Sequence, residues 1–447
     1  LKLLFARKLN LEKVVIHQPH MVIREQSQLF GDSLKKKQNE FALAIDRLIL
    51  DSLHIEYTDR GSCRLNNEYF STLEAKDLSL SIHTDKPLEL SLGALRLDNT
   101  RLRFPQEFYT VQILKTQFNA SAQSLTIDTL KIIPHLTKLE FGKKKGYDID
   151  RIEGVIPFVK LLGFRYRYQD TLSFAADRVN LQSFLRLFHD KRLPHKNVKK
   201  FLPVQILRQL PFGLSIDTLK VAKSFIAYEE LGSGAETAGT IFFDNVTASI
   251  LHITNDRHLL EGETLVDARA DLMGQGDLHI QTSFPWRSDK NCLMKGSLKN
   301  FDFTKINPVL TPSTPLEIES GTLDDLGFTF SYNDNHAHGE LQLTYHDLKV
   351  ITFRETRDEK AGKRKRKRDD EGEDKDNFKT FLLNAFVIRK NMDEKLPEDK
   401  RTGTIDFPRD QTRSIFNFWW KSLLSGFKSA FHVDRVKHRQ QNKNRDK

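Results

Sequence analysis

The sequence has few of the features that hold small secreted domains together or anchor a chain in a membrane. Only two cysteines occur in 447 residues, which excludes a disulfide framework and is compatible with an oxidising or a reducing compartment. No run of 18 apolar residues is present, and the most apolar stretch, 381–388, is interrupted by Asn384. The sequence therefore predicts no membrane-spanning helix between residues 1 and 447.

Local catalytic signatures are missing as well. Gly274-Gln275-Gly276 lacks the third glycine of a dinucleotide loop, and no phosphate loop or nucleophile elbow is found. The neighbouring Asp324 and Asp325 invite an acid/base interpretation, but they occur in a Gly-Thr-Leu-Asp-Asp-Leu-Gly segment that is typical of a turn. We therefore predict a protein that is not an enzyme and binds no cofactor.

The histidines do not form a recognisable metal site. Two pairs are close in sequence, His17 with His20 and His336 with His338. Side chains two residues apart on a strand share a face, so the second pair could reach one metal, whereas the first could not without a bend. Because no third ligand is tied to either pair by spacing, surface or turn histidines are favoured and no metal is predicted.

The net charge of +10 is concentrated in two places rather than spread as a binding stripe. Six basic residues, 363–368, are followed at once by a run of acidic residues, and the tail after Arg435 is basic. Basic side chains interleaved with exposed aromatics, as a nucleic-acid surface requires, are not seen. The sequence predicts a disordered charged loop over 355–377, a disordered tail over 432–447, and no nucleic-acid partner.

What the sequence does contain is a recurring pattern of alternating apolar residues. The first copy consists of Phe41, Leu43, Ile45, Leu48, Leu50, Leu53, Ile55 and Tyr57. Clear further copies begin at Leu88, Phe118 and Phe212, at irregular intervals that exclude a solenoid of fixed period. Alternation with period two indicates a strand with one buried face, and each two-residue break requires a turn, bend or bulge.

These repeats predict a mainly β fold, an elongated and bent antiparallel sheet with a few short helices. About 20 to 25 strands spaced ~4.8 Å apart would give a sheet on the order of 100 Å long. Too few helices are available to cover such a sheet, so its apolar face should form a groove. The predicted groove lining comprises Phe41, Ile45, Leu48, Leu50, Leu88, Leu92, Leu95, Leu97, Phe212, Ile216, Leu219 and Val221.

The organisation along the chain follows the same pattern. Repeated meanders are expected over 1–145, a strand and helix insertion over 146–211, and further sheet over 212–354. Within the insertion, apolar residues at helical spacing predict a short or kinked helix in 147–167 and a second helix over 198–209. Hairpin turns are predicted at 232–234, 254–256 and 332–335. Residues 378–431 should hold the last strands, 378–388 and 402–407, and a helix.

That last helix is amphipathic and rich in aromatic residues. Its apolar positions recur every three or four residues and include Phe416, Trp419, Trp420, Leu423 and Phe427. One interpretation is a lid packed on the apolar rim of the last strands. The alternative is a helix lying in a membrane interface, where Trp and Lys are favoured.

A segment of about 60 residues resembles a known family. The matching pieces are Gly296-Ser297-Leu298, Phe301-Asp302-Phe303, Ile306-Asn307-Pro308-Val309-Leu310, Leu316 to Leu323, and Gly339 to Val350. This succession looks like the C-terminal region of the AsmA-like family (AsmA/TamB type). The charged loop and the Trp-rich helix depart from the best-known members.

The resemblance implies a periplasmic protein of a Gram-negative bacterium, tethered to the inner membrane by a segment preceding residue 1. It also implies a long β-groove associated with phospholipid transport or with outer-membrane assembly, and no catalytic residue. Phospholipid acyl chains and a membrane are thus the expected partners. A scaffold for outer-membrane proteins that uses exposed strand edges stays open as the alternative.

Overall fold

The computed structural model describes residues 8–24, 41–58, 65–82, 89–104, 108–169, 171–256, 258–259, 261–287, 289–312, 316–352 and 401–431. Strands account for 67% of this part of the chain and helices for 12%. The strands are β1 (Lys8–His17), β2 (His20–Arg24), β3 (Phe41–Thr58), β4 (Leu65–Ile82), β5 (Glu89–Ser91), β6 (Ala94–Arg103), β7 (Tyr109–Asn119), β8 (Ser124–Pro134), β9 (Arg151–Leu162), β10 (Arg165–Gln169), β11 (Thr171–Asp190), β12 (Gly213–Leu231), β13 (Gly239–Thr254), β14 (Glu263–Leu272), β15 (Gly276–Pro285), β16 (Cys292–Asp302), β17 (Leu316–Tyr332), β18 (His336–Thr352) and β19 (Arg401–Pro408). The helices are α1 (Lys138–Lys145), α2 (Pro203–Arg208), a 3₁₀ turn (Phe303–Ile306), α3 (Asn307–Leu310) and α4 (Ile415–Ala430).

All nineteen of these strands belong to one open sheet, which confirms the predicted fold class. Most strands pair with the strand that follows them in the chain, so sequence order is close to spatial order. Three places in the strand order of the sheet are each occupied by two short strands that lie end to end along one long neighbour. β1 and β2 both pair with β3, β5 and β6 with β4, and β9 and β10 with β11. About sixteen positions remain, and at ~4.8 Å each they span roughly 70 Å.

The sheet is mixed, so the predicted antiparallel pairing holds for most strands but not for all of them. β1 and β2 run parallel to β3, and β12 runs parallel to β11. A parallel pair cannot be closed by a tight hairpin, because the chain must return along the whole strand before it starts again. Residues 191–212, which include α2, make this return between β11 and β12 and are called the crossover below.

The breaks in the repeat are irregularities in the strand ladders, and those at Ser52, Asn99 and Lys223 coincide with the register shifts of β-bulges. Ser52, Asn99, Thr129 and Lys223 occupy equivalent places in the four clear copies, and each has a left-handed backbone with φ between 31° and 57°. A bulge adds one residue to one strand and reverses the alternation, so apolar residues on both sides of it keep the same face. At the first break, beside Ile45, the left-handed residue is Asp77 of the neighbouring strand.

The helix predicted within 147–167 was wrong, since these residues form β9 and β10. The apparent helical spacing comes from two alternating runs offset by a bulge. Ile152, Gly154 and Ile156 belong to one run and Val159 and Leu161 to the other, with Pro157 and a register shift in the ladder to β11 between them. Proline lacks the donor that a ladder needs and is tolerated at such irregular positions.

The remaining local predictions had mixed outcomes. The helix expected over 198–209 is formed only at 203–208, and Asp324 and Asp325 lie within β17 rather than in a turn. The three predicted hairpin turns connect β12 to β13, β13 to β14 and β17 to β18. The loop 355–377, the strand 378–388 and the tail 432–447 lie outside the described residues.

The main core lies at the end of the sheet formed by β14 to β19. Its fully buried aromatic residues include Phe301, Phe330, Tyr332 and Phe418, and Leu202 of the crossover joins the same cluster. The predicted amphipathic helix is confirmed as α4, which begins after the capping residue Ser414 and packs on β18 and β19. This end of the sheet is covered, and the burial pattern of the other end is different.

Candidate functional site: an apolar trough across the sheet

Two continuous rows of side chains cross the sheet on one face. Residues that face each other in register lie on the same side, so the pairings can be followed from strand to strand. The Leu50 row contains Ile16, Leu50, Leu73, Leu97, Thr116, Ile127, Val159, Leu181, Val221, Ala248, Ala268, Ile280, Gly296, Phe328, Leu341 and Gly403.

The second row lies two residues along each strand. The Leu48 row contains Val14, Leu48, Ala75, Leu95, Phe118, Leu125, Leu161, Val179, Leu219, Ile250, Val266, Thr282, Met294, Phe330, Gly339 and Ile405. Threonine is the only polar residue type in either row, and we call the surface formed by the two rows the apolar trough.

The residues between these two rows point to the opposite face and are hydrophilic. From β4 onwards this third row reads Glu74, Arg96, Gln117, Thr126, Lys160, Asn180, Lys220, Ser249, Asp267, Gln281, Lys295, Thr329, Glu340 and Thr404. One face is thus charged and polar from β4 to β19, whereas the same row is apolar on β1 and β3, at Val15 and Ile49. The alternation is that of a sheet with one solvated face.

Burial along the Leu50 row shows where the trough is covered. Every member from Leu50 to Gly296 keeps part of its surface in solvent, whereas Phe328 and Leu341 are buried. The change coincides with the position of α4, which lies directly on β18 and β19. Gly426 of the helix is so close to the sheet that a Cβ added to it would collide with the side chains of Leu341 and Ile405. The Leu50 row is therefore closed over β17 and β18 and partly accessible over the earlier strands, where Ala75, Phe118 and Val179 of the Leu48 row are nevertheless buried.

Only some of the predicted groove residues belong to the two rows. Leu50, Leu97 and Val221 belong to the Leu50 row, and Leu48, Leu95 and Leu219 belong to the Leu48 row. Others continue the apolar face further along their strands, Ile45 beside Leu11 and Leu78, and Ile216 beside Ala176 and Ile253. Leu92 and Phe212 are partly buried and lie just before β6 and β12.

Leu88 and the side chain of Phe41 lie outside the part of the chain that the structure describes.

Beyond the bulges, the apolar face continues in residues that were not assigned to the groove. This further row contains Met21, Ile55, Tyr69, Leu102, Val111, Ile132, Gly154, Leu185, Ile226, Phe243 and Leu272. Their membership of the repeat was visible in the sequence for Ile55, Leu102, Ile132 and Ile226. The others could be placed only once the strand register was known.

Buried hydroxyl groups line the bulges, and sequence reasoning missed them. Ser71 Oγ and Thr100 Oγ1 are 3.0 Å apart, and the backbone N–H of Ser183 donates to Ser224 Oγ over 2.8 Å. All four side chains are buried. Hydroxyls at these places satisfy polar groups that the bulge takes out of the ladder. The only signal was that Thr100 and Ser224 replace an apolar residue of the repeat.

The five predicted lid residues lie on two different sides of α4. Trp419, Leu423 and Phe427 pack against the core cluster, whereas the side chains of Phe416 and Trp420 face outwards, with 72% and 43% of the residue exposed. The helix covers the trough with one side and presents aromatic side chains on another.

A polar cluster anchors the crossover to the segment between β19 and α4. The carboxylate of Asp148 accepts hydrogen bonds from His195 Nδ1 at 2.7 Å and from Arg413 Nη1 at 3.0 Å. His195 Nε2 lies 2.9 Å from Thr412 Oγ1, which gives a threonine, histidine and aspartate in succession. Thr412 Oγ1, however, donates its proton to Asp410 over 2.6 Å, so its hydroxyl is not directed at His195 as a nucleophile would be.

Asp334 provides the second anchor of the crossover. Its carboxylate accepts hydrogen bonds from Gln205 at 2.8 Å and Lys199 at 3.3 Å, and it pairs with the buried guanidinium of Arg409. Burial alone would raise the pKa of Asp334, but the hydrogen bonds and the two cations outweigh it and hold the pKa below its ordinary value. The crossover is thereby tied to the hairpin before β18.

No family model and no curated protein matches the chain. Among the described residues, no helix combines the length and the apolar character needed to cross a bilayer.

Proposed function

We propose that this chain is a non-enzymatic lipid-binding protein whose apolar trough holds phospholipid acyl chains. The observation that carries the proposal is the apolar surface of the two rows. The Leu50 row remains partly accessible from β3 to β16, whereas the Leu48 row beside it alternates between partly exposed and buried residues. Monomeric soluble proteins rarely expose contiguous apolar surface on this scale, and such surfaces are typical of ligand grooves or interaction sites.

The energetics favour acyl chains as the ligand. Burying one methylene group stabilises a complex by about 0.8 kcal/mol, and the contact requires no specific hydrogen-bond partner. A chain lying across the strands would meet Leu, Ile and Val side chains at successive positions, while its headgroup stayed in water at the rim. The threonine in the middle of the Leu50 row, Thr116, offers one hydroxyl and no charge.

The cellular setting of the proposal rests on the resemblance to the AsmA-like family. That resemblance supports the proposal of a periplasmic protein of a Gram-negative bacterium, tethered to the inner membrane, that conducts phospholipid between the inner and outer membranes. An elongated sheet of roughly 70 Å is a reasonable length for part of such a path.

A scaffold for outer-membrane protein assembly is the second candidate. It is favoured by the open edge formed by β1 and β2, where Ile16, Met21, Val22 and Ile23 are exposed. A strand from a partner could pair with β1 or β2 along this edge. In that case the trough would hold no lipid.

The test begins with the protein as purified under mild extraction. Mass spectrometry should find co-isolated phospholipid, and a fluorescent fatty-acyl lipid should bind saturably. Placing Asp at Leu50, Leu97 and Val221 together should abolish binding, because a lipid tail cannot cover three carboxylates without desolvating them.

A matched variant separates loss of the trough from general damage. Asp at Thr126, Lys160 and Ser249 of the opposite face should leave lipid binding unchanged. Absence of lipid from the wild-type protein, together with crosslinks to barrel proteins, would instead support the scaffold function.

A further inference from the structure

We infer that His20, His54 and Glu56 form a binding site for a divalent transition-metal ion such as Zn²⁺. The three residues come from two adjacent strands, His20 from β2 and the other two from β3. His20 faces His54 in the parallel ladder, and Glu56 lies two residues further along the same face. Sequence spacing concealed the site, because the two histidines are 34 positions apart in the chain.

The distances fit a common ion. His20 Nε2 lies 3.0 Å from Glu56 Oε1, and His54 Nε2 lies 3.8 Å from the same oxygen. Ligand atoms at the usual distance of ~2.1 Å from a tetrahedral zinc ion are about 3.4 Å apart, between these two values. The candidate ligand atoms of all three residues lie within 4.8 Å of one another.

An orphaned polar atom points to the same place. His54 Nε2 is buried and has no hydrogen-bond partner, although its ring is held between the rings of His20 and Phe70 at centroid distances of 4.7 and 4.3 Å. A buried nitrogen without a partner costs free energy, and a metal ion would satisfy it.

The local charges also favour a cation. Glu56 stands directly opposite Glu68 on β4, and like charges in that position destabilise a sheet. Arg103 neutralises Glu68, with Nη1 3.3 Å from Oε2, while no lysine or arginine ion pair is seen for Glu56 in the described part of the chain. A divalent ion would neutralise the second carboxylate.

Binding requires one side chain to move. The two histidine rings are stacked with an interplanar angle of 13°, so their Nε2 lone pairs do not converge. His54 is fixed by stacking on Phe70, whereas the side chain of His20 is 51% exposed and can rotate towards the shared position. The ion would then pin the five-residue edge strand β2 to β3.

Calorimetric titration of the full chain with Zn²⁺ tests the site, with circular dichroism and thermal melting of each variant in the absence of metal as the folding control. The wild type should show one saturable site, which His20→Ala and Glu56→Gln each weaken by more than about tenfold. The matched variant His346→Ala removes an exposed histidine that pairs with Asp324, and it should bind like the wild type. Zinc should also raise the melting temperature of the wild type and not of His20→Ala.

Equal affinity in the wild type, His20→Ala and Glu56→Gln would overturn the inference, as would a wild type without saturable binding. The inference is independent of lipid carriage, because the ligands lie on the opposite face from the apolar trough.

Discussion

A single carboxylate in the apolar trough should be far more damaging than the same carboxylate one residue away. Ile127 of β8 belongs to the Leu50 row between Thr116 and Val159, whereas its neighbour Thr126 belongs to the polar row between Gln117 and Lys160. Both residues are partly buried, and each replacement by Asp adds one negative charge. Ile127→Asp and Thr126→Asp are therefore a matched pair that differ in the face they alter.

The magnitude follows from the spacing of the strands. One strand position is ~4.8 Å wide, about the length of four methylene groups of an extended acyl chain. If these methylenes lose their apolar contact, the complex loses up to ~3 kcal/mol at about 0.8 kcal/mol each. That corresponds to a Kd weakened by roughly 100-fold in Ile127→Asp. In Thr126→Asp the expected change in Kd is less than about threefold.

Fluorescence titration with a lipid probe measures both constants, and thermal melting of each variant without lipid serves as the folding control. Ile127→Asp should remain folded, because its partly exposed carboxylate can stay hydrated when the trough is empty. Wild-type lipid affinity in both variants would refute the assignment of the binding face. A similar loss in both would indicate binding by charge rather than by the apolar rows.

Three further outcomes follow from other parts of the structure. If α4 also lies in a membrane interface, replacing both Phe416 and Trp420 by Ser should reduce flotation with anionic vesicles by about fivefold or more. Replacing Leu114 of β7, whose exposure lies between theirs, by Ser should not. The pKa of Asp334 is held below its ordinary value, so its stabilisation is present above the unfolded pKa and is lost as pH falls through the folded one. Asp334→Asn should therefore flatten the fall of Tm between about pH 5 and 3, and an unchanged profile would contradict the anchor role. Burial raises the pKa of Cys292 to about 11, so its alkylation at pH 8, followed by mass spectrometry, should be about 100-fold slower in the folded protein than in denaturant.

Much of the sheet could be predicted because its information is local. Alternation with period two identifies the buried face of each strand, and the repeat at Leu48, Leu50 and Leu53 already contains the bulge that Ser52 makes. The residues of successive copies then fall into the same rows, as Leu50, Leu97 and Val221 do. A one-sided sheet could therefore be predicted without knowing which strands are neighbours.

What could not be predicted depends on contacts between distant parts of the chain. The spacing of Ile152, Ile156 and Val159 suits a helix as well as two strand runs joined by a bulge, and only pairing with β11 decides between them. The parallel path from β11 to β12 is set by where the crossover is anchored, at Asp148 and Asp334, rather than by its composition. The meeting of His20 with His54 likewise exists only in the ladder between β2 and β3.

The two edges of the sheet differ in a way that bears on self-association. The backbone N–H groups of Thr404 and Asp406 on β19 donate to the hydroxyls of Ser429 and Ser425 of α4, at 3.0 and 3.1 Å. An incoming strand at that edge would have to displace a 16-residue helix. An association of two copies through β1 and β2, edge to edge about a twofold axis, would yield a closed dimer instead of an endless fibre.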